Sequence, residues 1–304
     1  MAIFNNLPKT VKIVEVGPRD GLQNEKTILG VEDKVQYIEL LMDSGLKSLE
    51  VCSFVRTDKI PQMADSEKLY EKITKKNDTH LSCLVPNVKG MERALSLGVK
   101  EIALFTATSD TFNQKNINAN IEESLQRLEK VAAIAQRENI RIRGYVSTVF
   151  GCPYEGITSS EKLLEVIQRL FDLGAYEISL GDTIGVGHPT QVDQILDKVL
   201  QKYSVDEIAM HFHDTRGLAL TNILTSLQKG IYIFDSSSGG LGGCPYAVGA
   251  SGNVATEDVL YLLHSLGIQT GVDMDKLVMA SDFILNKLNK KTPSRYLSTL
   301  LAGK

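Results

Sequence analysis

Long hydrophobic runs are missing from this 304-residue chain: no stretch of 18 or more apolar residues occurs, so nothing reads as a membrane span. An excess of positive charge is missing too. Lys and Arg number 33 against 37 Asp and Glu, a net charge of −4. No basic cluster is interleaved with aromatics, which argues against a nucleic-acid partner. Paired cysteines are absent. Cys52, Cys83, Cys152 and Cys244 are scattered, with no Cys-x-x-Cys, which fits a reducing compartment better than a disulfide framework or a structural zinc site. Cys52 and Cys83 each lie inside an apolar run and read as small buried hydrophobes. The N-terminus shows neither a basic region followed by an apolar core nor an Arg-rich amphipathic stretch, so it reads as no secretory signal and no transit peptide. A Walker motif, a dinucleotide fingerprint and a Gly-x-Ser-x-Gly elbow are also absent.

What the chain does have is alternation. Short β-branched runs recur at Val11–Val16, Ser48–Cys52, Leu81–Val85, Glu101–Thr106, Arg141–Ser147, Tyr176–Leu180, Glu207–Phe212 and Ile231–Asp235. Helical periods lie between them. Ile121, Leu125, Leu128, Ala132 and Ala135 form one apolar face, with Asn120 and Glu123 as a capping pair. Val31, Val35, Ile38 and Leu41 do the same before Gly45, and Val259, Leu262 and Leu266 after Thr256. Eight strand–helix units of thirty-odd residues predict an α/β fold, a (β/α)8 TIM barrel. A doubly wound open sheet is the alternative. Against it, the first strand leads into Gly-Pro-Arg-Asp-Gly and not a Gly-x-Gly-x-x-Gly turn. No Pro/Gly/Ser linker divides the chain, so a single catalytic domain over 1–304 is expected, with the barrel at about 8–270 and a short helical, lysine-rich extension at about 271–304.

In such a barrel, catalytic residues come from the C-terminal strand ends. Those ends carry Arg19, Asp20 and Gln23 after strand 1, and Glu50 and Ser53 at strand 2. Asp182 and Thr183 follow strand 6, His211, His213 and Asp214 mark strand 7, and Cys244 and Asn253 follow strand 8. His211 and His213 are two apart on a strand, so both imidazoles face the same way. They either pack together in the barrel or grip one metal ion. With Asp20 and Asn253 as third and fourth ligands the set is N₂O₂ and needs no thiolate. It suits Mg²⁺ or Mn²⁺, though imidazole also binds Zn²⁺, Co²⁺ and Fe²⁺. His80 and His264 have no such company and read as solvated. Arg19 either forms a structural ion pair with Glu50 or Asp182 or donates to a carbonyl that is becoming an enolate, and one arrangement allows both. A metal that acidifies a substrate hydroxyl, beside an arginine that stabilises an enolate, describes carbon–carbon bond cleavage.

The stretch Gly239–Asn253 holds six glycines between 239 and 252, with Cys244 at its centre and Asn253 at its end. Such density is wrong for a helix or strand interior. It reads as a surface loop with an incidental thiol, or as a lid over the rim whose cysteine serves as an acid.

These motifs carry a resemblance. VEVGPRDGLQNE (Val14–Glu25), GYVSTVFGCPYEG (Gly144–Gly156), YEISLGDTIGVG (Tyr176–Gly187), HFHDT (His211–Thr215) and SGGLGGCPYAVGASGNVATED (Ser238–Asp258) closely resemble the 3-hydroxy-3-methylglutaryl-CoA lyase family, from about residue 8 to residue 293. The resemblance implies a TIM barrel that splits (S)-3-hydroxy-3-methylglutaryl-CoA into acetyl-CoA and acetoacetate with Mg²⁺ or Mn²⁺. It implies Asp20, His211, His213 and Asn253 as metal ligands, Arg19 on the thioester carbonyl and Cys244 as the active-site loop cysteine. Glu50, Asp182 and a proton-shuttling His211 would support them. Gln23, Ser53 and Thr183 line the substrate side, and Lys26, Asn116 and the Asn289–Lys291 segment would face the anionic end of CoA. The family also implies an acyl-CoA partner, a homodimer and, without a leader, a cytoplasmic location. The pathway, leucine breakdown or the handling of another branched acyl-CoA, stays open. Arg216, where a tyrosine often follows His-Asp-Thr, and His188 depart from the pattern without touching a proposed ligand. A Claisen-type synthase joining acetyl-CoA to a 2-oxo acid is the nearest alternative, since the Arg-Asp-Gly-x-Gln element is shared with such enzymes. A non-catalytic metal-binding scaffold barrel is the alternative of another class.

Overall fold

Eight strands, all parallel, close on themselves in chain order. They are β1 (Lys12–Glu15), β2 (Ser48–Ser53), β3 (His80–Leu84), β4 (Glu101–Ala107), β5 (Arg141–Ser147), β6 (Ala175–Asp182), β7 (Ile208–Phe212) and β8 (Ile233–Ser236). The closing pair is β8 on β1, in register from Lys12 opposite Ile233 to Glu15 opposite Ser236. The structure is a computed structural model, and it describes residues 7–76, 78–243 and 252–302. Parallel strands need crossover connections, and helices supply them. The longest, Ile121–Arg137, starts at the expected capping box: Glu123 N donates to Asn120 Oδ1 (2.8 Å) and Asn120 N to Glu123 Oε2 (3.0 Å).

The predicted (β/α)8 barrel is therefore the observed architecture. The main core lies between the strands and the helices around them. Ile178 and Leu180 of β6, and Ile208, Met210 and Phe212 of β7, join Leu170 and Ile223 from the helices there. The inward positions are different. Two small apolar clusters sit apart from the main core, Val14, Val16, Ala209 and Ile233 in one and Leu84, Ala103 and Tyr145 in the other. Charged and polar side chains occupy other inward positions.

Strand boundaries shift by a residue or two from the sequence reading, as chain ends of strands do. One shift matters: β7 ends at Phe212, and His213 continues as an isolated bridge to Asn253. A helix at Asp110–Ile117 precedes the main helix after β4, and it was not visible in the pattern. The C-terminal extension folds back onto the barrel. Helix Met274–Leu288 packs against helix Val31–Asp43 and buries Leu277, Ala280, Ile284, Leu285 and Leu288. Helix Arg295–Leu301 follows, its Leu297 fully buried. Among the described residues no helix is long and apolar enough to cross a membrane.

Because Ile284 is wholly buried, Ile284→Ala is expected to lower unfolding free energy by about 2–5 kcal/mol, the range for removing a large aliphatic side chain from a core. Urea denaturation checks this. A loss near zero would mean the extension is not part of the cooperative core.

Candidate metal centre and active site

β1 does not run straight into a helix. It enters a π-helical turn, Gly17–Gly21, that swings Arg19 and Asp20 over the barrel mouth. Turns of this wide type recur at functional sites because they re-aim side chains. Arg19 Nε pairs with Glu50 Oε1 from β2, and Arg19 Nη1 donates to Asp20 Oδ1 at 2.7 Å. The sequence offered Glu50 or Asp182 as an ion-pair partner for Arg19. Glu50, not Asp182, holds Arg19. Burial alone would weaken the guanidinium's hold on its proton, but Glu50 and Asp20 outweigh that and raise its pKa.

Asp20, His211 and His213 place one ligand atom each within 4.8 Å of one another. The two imidazole rings are 5.3 Å apart, centre to centre. Asp20 would be pushed up by burial, yet Arg19 and the two histidines bring it down to about 2. It is a firm carboxylate. Burial, then the charge on His211, brings His213 down to about 4, so it is a neutral imidazole near neutral pH. For His211, burial favours the neutral ring, but the hydrogen bond to Asp235 wins and raises the pKa.

Asn253 arrives from the far end of the glycine-rich stretch. Val254 N donates to Phe212 O (3.0 Å) and Asp214 N to Gly252 O (2.9 Å), so this segment extends the edge of β7 and sets Asn253 beside His213. Its Nδ2 donates to Asp20 Oδ2 (2.8 Å) and to Leu241 O (3.2 Å). As a fourth ligand Asn253 would offer Oδ1, which turning over the amide would put where Nδ2 now sits. The residues fit a divalent cation on two observations. The buried Nδ1 of His213 has no hydrogen-bond partner. The converging donors are one carboxylate and two imidazoles, with no thiolate among the described residues.

The remaining candidates fall into two groups. Asp182 sits at the end of β6, where burial pushes it up to about 6 although Val186 N and Gly187 N (both 2.9 Å) donate to it. Gln23 is partly buried, and its Oε1 has no partner. Ser53 and Thr183 meet the backbone: Ser53 Oγ faces Leu84 O (3.5 Å), and Thr183 Oγ1 accepts from Thr148 N (2.8 Å), which leaves its hydroxyl hydrogen to donate. Lys26 and Asn116 are exposed on separate segments. Cys244 lies outside the described residues. Cys52 and Cys83 are buried, as their apolar surroundings suggested, and His80 and His264 are exposed.

Sequence reasoning missed a set of inward-facing charges, Arg143 on β5, Glu177 on β6 and Asp235 on β8, all at most 2% exposed. The signal was present as Arg141-Ile-Arg-Gly-Tyr, where a strand alternates polar and apolar. That pattern ordinarily means a solvent face, and here it means a polar barrel interior. Also missed were Glu15 and Glu257, which hold the root of the glycine-rich stretch. Ser238 N donates to Glu15 Oε1 (2.9 Å), and Gly239 N donates to Glu257 Oε1 (2.8 Å). Where the two ends of the stretch come together, a side chain would not fit. A Cβ on Gly252 would meet Gly242 C at 2.5 Å, and both residues have positive φ.

The family description HMGL-like matches residues 10–284. A Danio rerio protein described as a cytoplasmic 3-hydroxy-3-methylglutaryl-CoA lyase is 52% identical over 289 residues, 95% of this chain and 86% of that one. A Homo sapiens protein described as a mitochondrial hydroxymethylglutaryl-CoA lyase is 50% identical over 292 residues, 96% of this chain and 90% of that one. The crystal structure of hydroxymethylglutaryl-CoA lyase from Pseudomonas aeruginosa superimposes with a TM-score of 0.96 at 49% identity, covering 99% of this chain and all of that one.

Burial pushes Glu257 from 4.5 up to about 7. Between those values the folded state binds more protons than the unfolded one, so stability falls as pH rises through the window. That slope reaches about 1.4 kcal/mol per pH unit for one group. Glu257→Gln keeps an oxygen for Gly239 N and Ser281 Oγ and removes the titration. It should therefore be more stable than the parent at pH 7.5 and no more stable at pH 4.5, as read from urea midpoints. An advantage independent of pH would contradict the assignment.

Proposed function

The chain belongs to the HMGL-like family, and on that basis we propose that it cleaves (S)-3-hydroxy-3-methylglutaryl-CoA into acetyl-CoA and acetoacetate with the help of Mg²⁺ or Mn²⁺. The observation that carries this reading is the meeting of Arg19 and Asp20 with His211 and His213 at one end of the barrel. Such a set has little purpose in a scaffold, because a buried arginine and a converging carboxylate–imidazole triple each cost stability.

Asp20, His211, His213 and Asn253 would hold the cation. When bound, it supplies Lewis-acid chemistry, orienting the substrate's hydroxyl and carboxylate and lowering the hydroxyl's pKa. Arg19 is already held by Glu50 through Nε and by Asp20 through Nη1, which leaves its Nη2 edge to donate to the thioester carbonyl. Asp182, at the end of β6 with its carboxylate held by Val186 N and Gly187 N, would serve as the base, and burial raises its proton affinity toward that task. The hydroxyl proton goes to this base, and the oxygen's electron pair forms the ketone of acetoacetate. The C2–C3 bond breaks, and its electrons move into the thioester as an enolate whose charge Arg19 stabilises. Protonation of C2 then gives acetyl-CoA, and the sequence assigns that proton to Cys244.

The anionic end of CoA is assigned to Lys26, Asn116 and Asn289–Lys291. Lys290 is tied to Glu25 beside the first strand's turn, and Lys26 and Lys291 are exposed around it, which favours this side of the mouth. A homodimer and a cytoplasmic location are further parts of the proposal, the latter in line with the name of the Danio rerio relative.

With Mg²⁺ the purified protein should release acetyl-CoA from the substrate, and a chelator should stop it. Arg19→Met should lower kcat/KM by about 10²–10³, as removal of one oxyanion donor does. Asn253→Ala should weaken metal affinity, whereas Cys244→Ala should spare it and lose turnover. Consumption of pyruvate with acetyl-CoA, with no cleavage, would favour a synthase instead.

A further inference from the structure

Beneath the metal-ligand triple the barrel interior is charged. Arg143 reaches across from β5. Its Nε donates to Glu177 Oε1 (2.6 Å), its Nη2 to Asp235 Oδ1 (2.7 Å), and its Nη1 to Asp235 Oδ2 (3.3 Å) and Tyr145 Oη (2.6 Å). Ser179 Oγ from β6 also donates to Asp235 Oδ2, at 2.7 Å. The last partner of that oxygen is His211 Nδ1, at 3.2 Å. Register explains the convergence: Arg143 sits opposite Glu177, Tyr145 opposite Ser179, and His211 opposite Asp235 on neighbouring strands.

Buried ion pairs of this kind are poor sources of stability, since well-packed apolar side chains would often serve as well. Their use is in fixing a geometry. Flanked by a guanidinium, Asp235 is a carboxylate and can only accept hydrogen bonds. The nitrogen of His211 that faces it must therefore carry the hydrogen, and in the neutral ring, the form that binds a metal, the lone pair is at Nε2. The two histidines are unequal in this respect. His211 is anchored from behind by a carboxylate, while the buried Nδ1 of His213 has no partner.

We propose that Asp235 is a positioning residue that fixes His211 as the Nδ1–H tautomer with Nε2 free to take the divalent cation, and that Arg143 and Ser179 hold Asp235 in place for that task. This rests on the metal-site reading above. Carboxylates behind metal-bound histidines orient the ring and raise its basicity.

Mn²⁺ binding to the full-length, chelator-stripped protein without substrate, followed by calorimetry, tests the proposal. Asp235→Asn is the same shape but can turn its amide NH₂ toward His211. The variant should bind Mn²⁺ about 10–100-fold more weakly, the usual effect of losing such a partner. Nitrogen NMR of the histidine rings, assigned by substitution among only five histidines, should show His211 changing from Nδ1–H to Nε2–H in the metal-free variant. Should Asp235→Asn not fold, Ser179→Ala removes one hydroxyl behind the same oxygen and should weaken Mn²⁺ binding several-fold. Wild-type protein that binds Mn²⁺ no better than a folded variant overturns the proposal alone, as does an Nε2–H tautomer in the wild type. A wild type that binds no Mn²⁺ overturns the metal-site reading, and the proposal with it.

Discussion

Asp20 divides its carboxylate between two partners, Arg19 at 2.7 Å and Asn253 at 2.8 Å, and the rest of the mouth is arranged around that division. The first contact keeps Asp20 ionised and the guanidinium in a fixed pose beside Glu50. The second joins the turn after β1 to a segment that the chain reaches only after passing through the whole glycine-rich stretch. The site is assembled from residues more than 230 positions apart, and only a closed barrel brings β1, β7 and the returning segment side by side. Glu50 and Asp20 flank Arg19 here, and Asp182 stands at the end of β6. A divalent cation would offset the negative charge gathered at Asp20.

The barrel interior tells the same story at greater depth. A barrel of this kind is commonly filled by layers of branched aliphatic side chains. Here Lys12, Glu177, Arg143 and Asp235 form a ladder of alternating charge that climbs from the base toward His211. Burial makes the Glu177, Arg143 and Asp235 rungs expensive, and each is satisfied by at least one partner of opposite charge. The rigidity that results is useful where a metal ligand must not rotate. Around the outside, the root of the glycine-rich stretch is held in a different way. Glu15 and Glu257 accept backbone N–H groups there, and burial pushes both up to about 7.

Much of this was legible in the sequence. The period of strand and helix gave the barrel, and the rule that barrel chemistry sits at the C-terminal strand ends gathered Arg19, Asp20, Glu50, His211 and His213 before any coordinates. What stayed hidden had physical reasons. The π-helical turn at Gly17–Gly21 has no periodic signature, being five residues long. Asn253 was a candidate from the sequence, but its bridge to His213 is a pairing between two chain segments that no local pattern encodes. Arg143 and Asp235 looked like ordinary alternation, because a strand pattern shows which residues share a face but not which face is inside. Ser53 and Thr183 show the converse. They sit at the right strand ends, yet their hydroxyls meet backbone groups, since small polar side chains at strand ends serve the fold as readily as a ligand.

The central claim is that these residues form one divalent-metal centre at the C-terminal end of the barrel. Diffraction from Mn²⁺-soaked crystals, collected at the manganese absorption edge, tests it most directly. The account predicts a single strong anomalous peak bounded by Asp20, His211 and His213, with the Asn253 amide turned to offer its oxygen. A peak elsewhere on the molecule, or an empty mouth at saturating Mn²⁺, would contradict it.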